Sequence, residues 1–142
     1  MPHDAIRPRH RHISLLQRGH PVVAANVGNY DPDQVATTII SVEEQLSGWY
    51  ALLRRAKTAK ELVPVYQRMS ETVRFFGRLP LLTFTEVAAS VYERLRKQKS
   101  RTGRMDLRIA AIALAHRAAI VTRNVNDFVD IEGLLVLDWS RQ

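Results

Sequence analysis

Cysteine is missing from all 142 residues. That absence removes disulfide cross-links and thiolate metal sites, and it fits a reducing, cytoplasmic setting. Long apolar runs are missing too: none approaches the roughly 20 residues that a bilayer-spanning helix needs, and the first residues lack the apolar core of a signal peptide. No membrane role is expected. Neither G-x-G-x-x-G nor G-K-[ST] occurs, so a nucleotide-binding doubly wound domain would lack its phosphate-cradling loop. Acids are in short supply. Fourteen Asp and Glu stand against 21 Lys and Arg, for a net charge of +7 and a pI near 10.4. A surface this basic attracts polyanions, RNA or DNA first among them, with an acidic partner protein as a further possibility.

What is present suits one globular domain. The chain has the usual length for a single core, and 46% hydrophobic residues are enough to fill it and argue against disorder. No repeats or low-complexity tracts interrupt it. The positive charge is concentrated in Arg94, Arg96, Lys97, Lys99, Arg101 and Arg104, with no acid among them. Such a run reads equally as a solubilising helix end, where cations suit the macrodipole, and as a guide for phosphates.

Along the chain, residues 1–12 (MPHDAIRPRHRH) form an atypical basic tail, and 13–142 are assigned to the domain. Residues 13–18 read as a short helical piece, stopped by Gly19-His20-Pro21. Val22–Val27 is an apolar run of undecided type. The β-branched run 37–42 reads as a buried strand, followed by a helix over 42–56 with Leu46, Trp49, Tyr50 and Leu53 on one face. A second helix, 60–78, opens on the capping box Thr58-x-x-Glu61, with Pro64 placing its regular start near Val63. Its stripe is Leu62, Tyr66, Met69, Val73 and Phe76, serving either the core or a partner. A short strand at 80–84 leads through a second capping box, Thr83-x-x-Glu86, into a helix reaching Lys99. Val87, Ala88, Val91, Tyr92 and Leu95 point inward there. Residues 106–117 form a helix apolar nearly all round, hence buried on several sides. Strands at 120–122 and 134–137 complete an alternating β/α order, which implies a mainly parallel sheet with helices on both faces.

The stretch Met105–Phe128, MDLRIAAIALAHRAAIVTRNVNDF, carries the strongest signal. One carboxylate, Asp106, stands at the mouth of the apolar helix. A tight turn and a β-type run then end in a polar cluster of Arg123, Asn124, Asn126 and Asp127. Polar residues at the C-terminal ends of parallel strands gather at one edge of the sheet, so chemistry is expected there. Each residue also has a local explanation: Asp106 as an N-cap, Ser41-x-x-Glu44 as a capping box, and Asn124 and Asp127 as turn residues.

This stretch resembles the C-terminal half of PIN-domain ribonucleases of the VapC toxin type, with an Asp opening an apolar helix before T-R-N-x-x-D-F. Ser41–Gly48 is similar to that family's strand-to-helix junction, whose acid lies four residues before a Gly, and Gly133–Trp139 is similar to its last strand. The three matches occur in order over residues 12 to 139. The resemblance implies a PIN-like α/β fold, a central mainly parallel sheet flanked by helices with a protruding helical hairpin. It further implies a metal-dependent endoribonuclease, with Glu44, Asp106, Asn124 and Asp127 as catalytic metal ligands for Mg2+ or Mn2+. Arg101, Arg104 and Arg123 are expected against RNA phosphates. The implied partners are a VapB-like antitoxin that inserts a segment into the acidic pocket and a second copy in a homodimer. One departure stands out. The family's first strand ends in an Asp, and counting back from His12–Leu16 as the first helix puts Arg9, His10 and Arg11 in its place. Impaired cleavage is therefore expected, and a non-catalytic scaffold binding RNA or an antitoxin is the alternative.

Overall fold

The structure, a computed structural model, describes the backbone of residues 13–15 and, in full, residues 35–98, 100–122 and 124–138. The elements are β1 (Ile13–Leu15), β2 (Val35–Thr38), α1 (Ile39–Arg55), α2 (Ala59–Gly77), β3 (Leu81–Leu82), α3 (Glu86–Lys97), α4 (Arg104–Ala115), β4 (Ala119–Val121), a 3-10 turn (Val125–Phe128) and β5 (Val136–Leu137). The strands form one parallel sheet in the order β3-β2-β1-β4-β5. Every strand thus delivers its C-terminal end to the same edge.

The first correction falls at the centre of the sheet. Ile13–Leu15, expected as helix, is a strand paired on both sides, Ile13 with Val35 and Ala119, and Leu15 with Val121. Three residues carry no period of their own, so pairing with two buried neighbours decides their state. The residues that follow this strand in sequence are Leu16, Gln17 and Arg18; Arg9, His10 and Arg11, where the sequence comparison sought an acid, lie outside the described residues. The basic tail and residues 22–27 lie outside the described residues.

The strand expected over 37–42 ends at Thr38. Its hydroxyl accepts from Ser41 N at 3.1 Å and so caps α1, which outweighs the β-propensity of Ile39, Ile40 and Val42. Ser41-x-x-Glu44 is accordingly not the capping box, and Glu44 lies in the helix's second turn. On the face expected to turn inward, Leu46, Trp49 and Leu53 are half-buried, but Tyr50 is 47% exposed.

Helix α2 opens as the sequence indicates. Thr58 Oγ1 accepts from Glu61 N at 3.2 Å, and Glu61 accepts from Lys57 N at 3.1 Å. That cap starts the helix at Ala59, ahead of Pro64, which sits inside it; the expected start near Val63 is thereby revised. Thr72 is the helix's one buried residue. Its hydroxyl accepts from Trp49 Nε1 at 3.0 Å and donates to Arg68 O at 2.9 Å, which joins the two arms of the hairpin. Of the predicted stripe, Tyr66 and Val73 are exposed and Leu62, Met69 and Phe76 half-buried.

Helix α3 is capped by Thr85, which accepts from Ala88 N at 3.1 Å, rather than by Thr83. Ala88 and Leu95 are buried, Val91 and Tyr92 pack half-buried against the core, and Val87 is exposed instead of inward. Helix α4 starts at Arg104, not Asp106, with Gly103 at the N-cap and no side-chain cap. Leu107, Ile109, Ala110, Ala111, Ile112 and Ala113 are all buried, because α4 lies between the sheet, α3 and α1. Its C-terminus is a Schellman motif: Ala118 N donates to Ala113 O at 2.8 Å and Arg117 N to Leu114 O at 3.3 Å. Arg117 takes the left-handed position, φ 53°, where glycine is usual.

Candidate functional site

Three chain crossings converge at the C-terminal edge of the sheet. Strand β2 runs directly into α1, which places Glu44 above the edge. Strand β4 runs into buried Thr122, whose hydroxyl accepts from Asn124 N at 3.0 Å and turns the chain toward solvent. That hydroxyl holds the turn. Asn124 then starts the 3-10 turn through Asp127 N donating to its carbonyl at 3.0 Å. It makes no side-chain cap bond. From the opposite direction, α4 brings Asp106 into its first turn.

The carboxylates feel one another. The Glu44 carboxyl is held above the ordinary range by loss of solvent, then by the negative charge of Asp106, then by Glu43. Glu44 still exposes a good part of its surface, so this desolvation is partial. Asp106, half-buried, is raised first by burial and then by Asp127. Asp106 is thus the link between an acid on α1 and an acid on the 3-10 turn. Like charges brought together disfavour ionisation, and no described lysine or arginine forms an ion pair with any of the three. Among the described residues the one salt bridge is Arg96–Glu93, at 3.1 Å.

The gathering is incomplete. Among the described residues no three His, Cys, Asp or Glu side chains form a ready cation site. Asp106 contributes to raising Glu44, and Asp127 to raising Asp106. Asn124 and Asp127 are exposed. Of the expected phosphate contacts, Arg101 and Arg104 are exposed, and Arg104 opens α4 two residues before Asp106. A cation there opposes the helix dipole, so the cap gives no reason for it. Arg123 lies outside the described residues.

Sequence reading missed Asp130. Its carboxylate accepts from Ser100 Oγ at 3.0 Å, Arg101 N at 3.1 Å and Thr102 Oγ1 at 3.3 Å, and these bonds hold the carboxyl below the usual range, the Arg101 N–H contributing most. No local spacing announces a contact made across such a sequence distance.

No protein-family model matches the chain. Among curated proteins it is 30% identical over 79 residues to Ribonuclease VapC2 of Rickettsia felis, covering 53% of this chain and 59% of that protein. It is 35% identical over 75 residues to Ribonuclease VapC1 of the same organism, covering 53% of each. The chain thus spans little more than half the length of the curated relatives it matches. In fold it is similar to VapBC-1 from nontypeable Haemophilus influenzae, with TM-score 0.71, 22% identity, and coverage of 92% of this chain and 98% of that one. It is also similar to DNA-bound VapBC from Salmonella typhimurium (TM-score 0.71, 17% identity, covering 89% and 98%). FitAcB from Neisseria gonorrhoeae follows (TM-score 0.66, 22% identity, covering 88% and 91%). The fold is the VapC-type PIN fold, as the sequence resemblance implied.

Proposed function

We propose that the chain is a metal-dependent endoribonuclease of the VapC toxin type with a weakened site. The observation that carries this reading is Asp106, coupled by charge to Glu44 on one side and to Asp127 on the other. Two further facts support it: curated relatives named ribonucleases, and a strongly basic chain suited to a polyanion.

The donor set fits a hard divalent ion. Carboxylate oxygens of Glu44, Asp106 and Asp127, with the amide oxygen of Asn124, are the kinds of ligand that Mg2+ or Mn2+ prefer, and such ions usually retain several waters. When bound, the ion supplies phosphate polarisation and a water of lowered pKa. The chain's own residues do the rest. Asp106 and Glu44, partly desolvated and held near other acids, would gain from the counter-charge of a bound cation. Arg101 and Arg104 hold the RNA backbone by charge, and Arg123, from its place in the sequence, would offer bidentate contact to a phosphate. The weakness comes from the centre of the sheet. Leu16, Gln17 and Arg18 follow β1 in sequence, so the middle strand brings no acid where its neighbours bring theirs.

The proposed partners are single-stranded RNA, a VapB-like antitoxin and a second copy of the chain. The structural neighbours named as VapBC assemblies support the antitoxin. The exposed apolar residues of the α1–α2 hairpin support a protein-binding surface. A test uses purified chain on single-stranded RNA with Mg2+ or Mn2+ titrated against chelator. Slow cleavage that needs the cation and disappears in Asp106→Asn is the expected result; cutting that survives both chelator and Asp106→Asn overturns the reading. The lack of a closed three-acid cluster among the described residues favours a second reading, a non-catalytic PIN-fold scaffold. Its mark would be RNA or antitoxin binding unchanged by chelator and by Asp106→Asn, with no cleavage.

A further inference from the structure

The densest positive run of the chain ends in the loop between α3 and α4, where Asp106's helix begins. That loop is held from a distance. Ser100 Oγ, Arg101 N and Thr102 Oγ1 all donate to the Asp130 carboxylate, at 3.0, 3.1 and 3.3 Å. Thr102 is buried, and the same hydroxyl lies 2.6 Å from the carbonyl of Asp127. Thr102 N closes the loop on itself through Ser100 Oγ at 3.1 Å. One carboxylate and one hydroxyl therefore tie segment 100–102 to segment 127–130. The first segment leads into Arg104 and Asp106; the second carries Asp127.

The geometry points to Asp130 as a positioning residue. It fixes the path of the backbone at Arg101 and Arg104 relative to the Asp106–Asp127 pair, and so the register in which RNA phosphates meet the acids. This inference rests on the ribonuclease reading. The chemistry of the clip matters as much as its place. A surface aspartate beside arginines would ordinarily pair with a guanidinium and quench it. Asp130 instead accepts from Arg101's backbone N–H and from two hydroxyls, and among the described residues neither Arg101 nor Arg104 enters an ion pair. The acid holds the loop while leaving its cations free for phosphate. Any carboxylate in simple surface repulsion or attraction would not need three converging donors from consecutive residues.

The test is the salt dependence of RNA binding by the full chain, with a single-stranded oligonucleotide in chelator so that cleavage cannot intervene. Each lost phosphate contact lowers the slope of log K against log salt by about 0.7 for a single strand. Asp130→Ala is expected to weaken binding about tenfold at low salt and to reduce the slope by about one to two contacts, approaching the double variant Arg101→Ala/Arg104→Ala. Asp130→Asn, whose amide oxygen can still accept from Ser100 and Thr102 but whose NH2 cannot accept from Arg101 N, falls between. In cleavage, KM rises while kcat stays within about threefold, since the acids themselves are intact. A purely structural role would lower the melting temperature and leave the slope of the folded protein unchanged; that result overturns the inference. If Asp130→Ala does not fold, Thr102→Val decides, because it deletes both cross-segment hydroxyl bonds without altering charge. Its slope must fall as well, and an unchanged slope overturns the inference. Should the unaltered chain itself show no salt-dependent RNA binding, the ribonuclease reading fails first. Wild-type binding with unaltered variants removes only the role given to Asp130.

Discussion

Two helical regions of this molecule treat apolar side chains in opposite ways. Helix α4 buries Leu107, Ile109, Ala110, Ala111, Ile112 and Ala113, and is enclosed by sheet, α3 and α1. Helix α2 is longer and buries Thr72 alone, while Val63, Tyr66 and Val73 are each more than half exposed. The same residue types thus serve the fold in one place and face outward in the other. Exposed apolar side chains gathered on one capped, regular helix are the kind of surface that partners cover, which is why the proposed partner is assigned to the hairpin and the proposed chemistry to the enclosed half.

The comparison breaks most readily in the core. Ile112→Ala should cost roughly 3 kcal/mol or more, since the site is fully enclosed and cavity terms add to lost transfer energy. Tyr66→Ser on α2 should change folding stability by less than about 0.5 kcal/mol, yet lower the affinity for antitoxin or for a second copy. Denaturation and sedimentation of both variants check the pair. Equal destabilisation by the two would erase the distinction. Next in size is the bond inside the hairpin. Thr72→Val removes the acceptor of Trp49 Nε1 and should cost about 1–2 kcal/mol, read by chemical denaturation.

In the enclosed half the proposed chemistry runs against stability. Asp106 carries a raised pKa, so its protonated form suits the fold better than its charged form does. The stabilisation is fully present below the unfolded carboxyl pKa and is lost as pH rises through the raised folded value. Asp106→Asn should therefore raise the melting temperature at neutral pH and narrow the gap between mildly acidic and neutral conditions, while ending cleavage. A lowered melting temperature at pH 7 would contradict the electrostatic account. A modest gain is expected at the end of α4. Arg117 occupies a left-handed position, and Arg117→Gly should gain up to about 1 kcal/mol by removing the Cβ penalty of that conformation.

What was legible in the sequence divides along physical lines. The Thr58 cap and the all-round apolar character of residues 107–113 were visible because capping and burial leave local patterns. The PIN-like order of elements followed from the same patterns together with the family resemblance. Boundaries shifted wherever two caps competed: Thr38 over Ser41, Thr85 over Thr83, and a bare Gly103 three residues ahead of Asp106. Strand β1 was misread as helix, because three residues have no period and owe their state to neighbours far along the chain. Asp130 left no trace for the same reason, its partners being set by the fold alone. Among the site residues, Glu44, Asp106 and Asp127 came out electrostatically linked; Arg123 falls outside the described residues.

The most direct measurement is the carboxyl pKa of Asp106, followed by carbon-13 NMR in the intact chain, in Asp127→Asn and with added Mg2+. The account predicts a value above that of an ordinary aspartate, which drops when Asp127 loses its charge and drops further when the cation binds. An ordinary value, indifferent to both changes, would mean that the acids do not share one field, and the proposed chemistry would lose its basis.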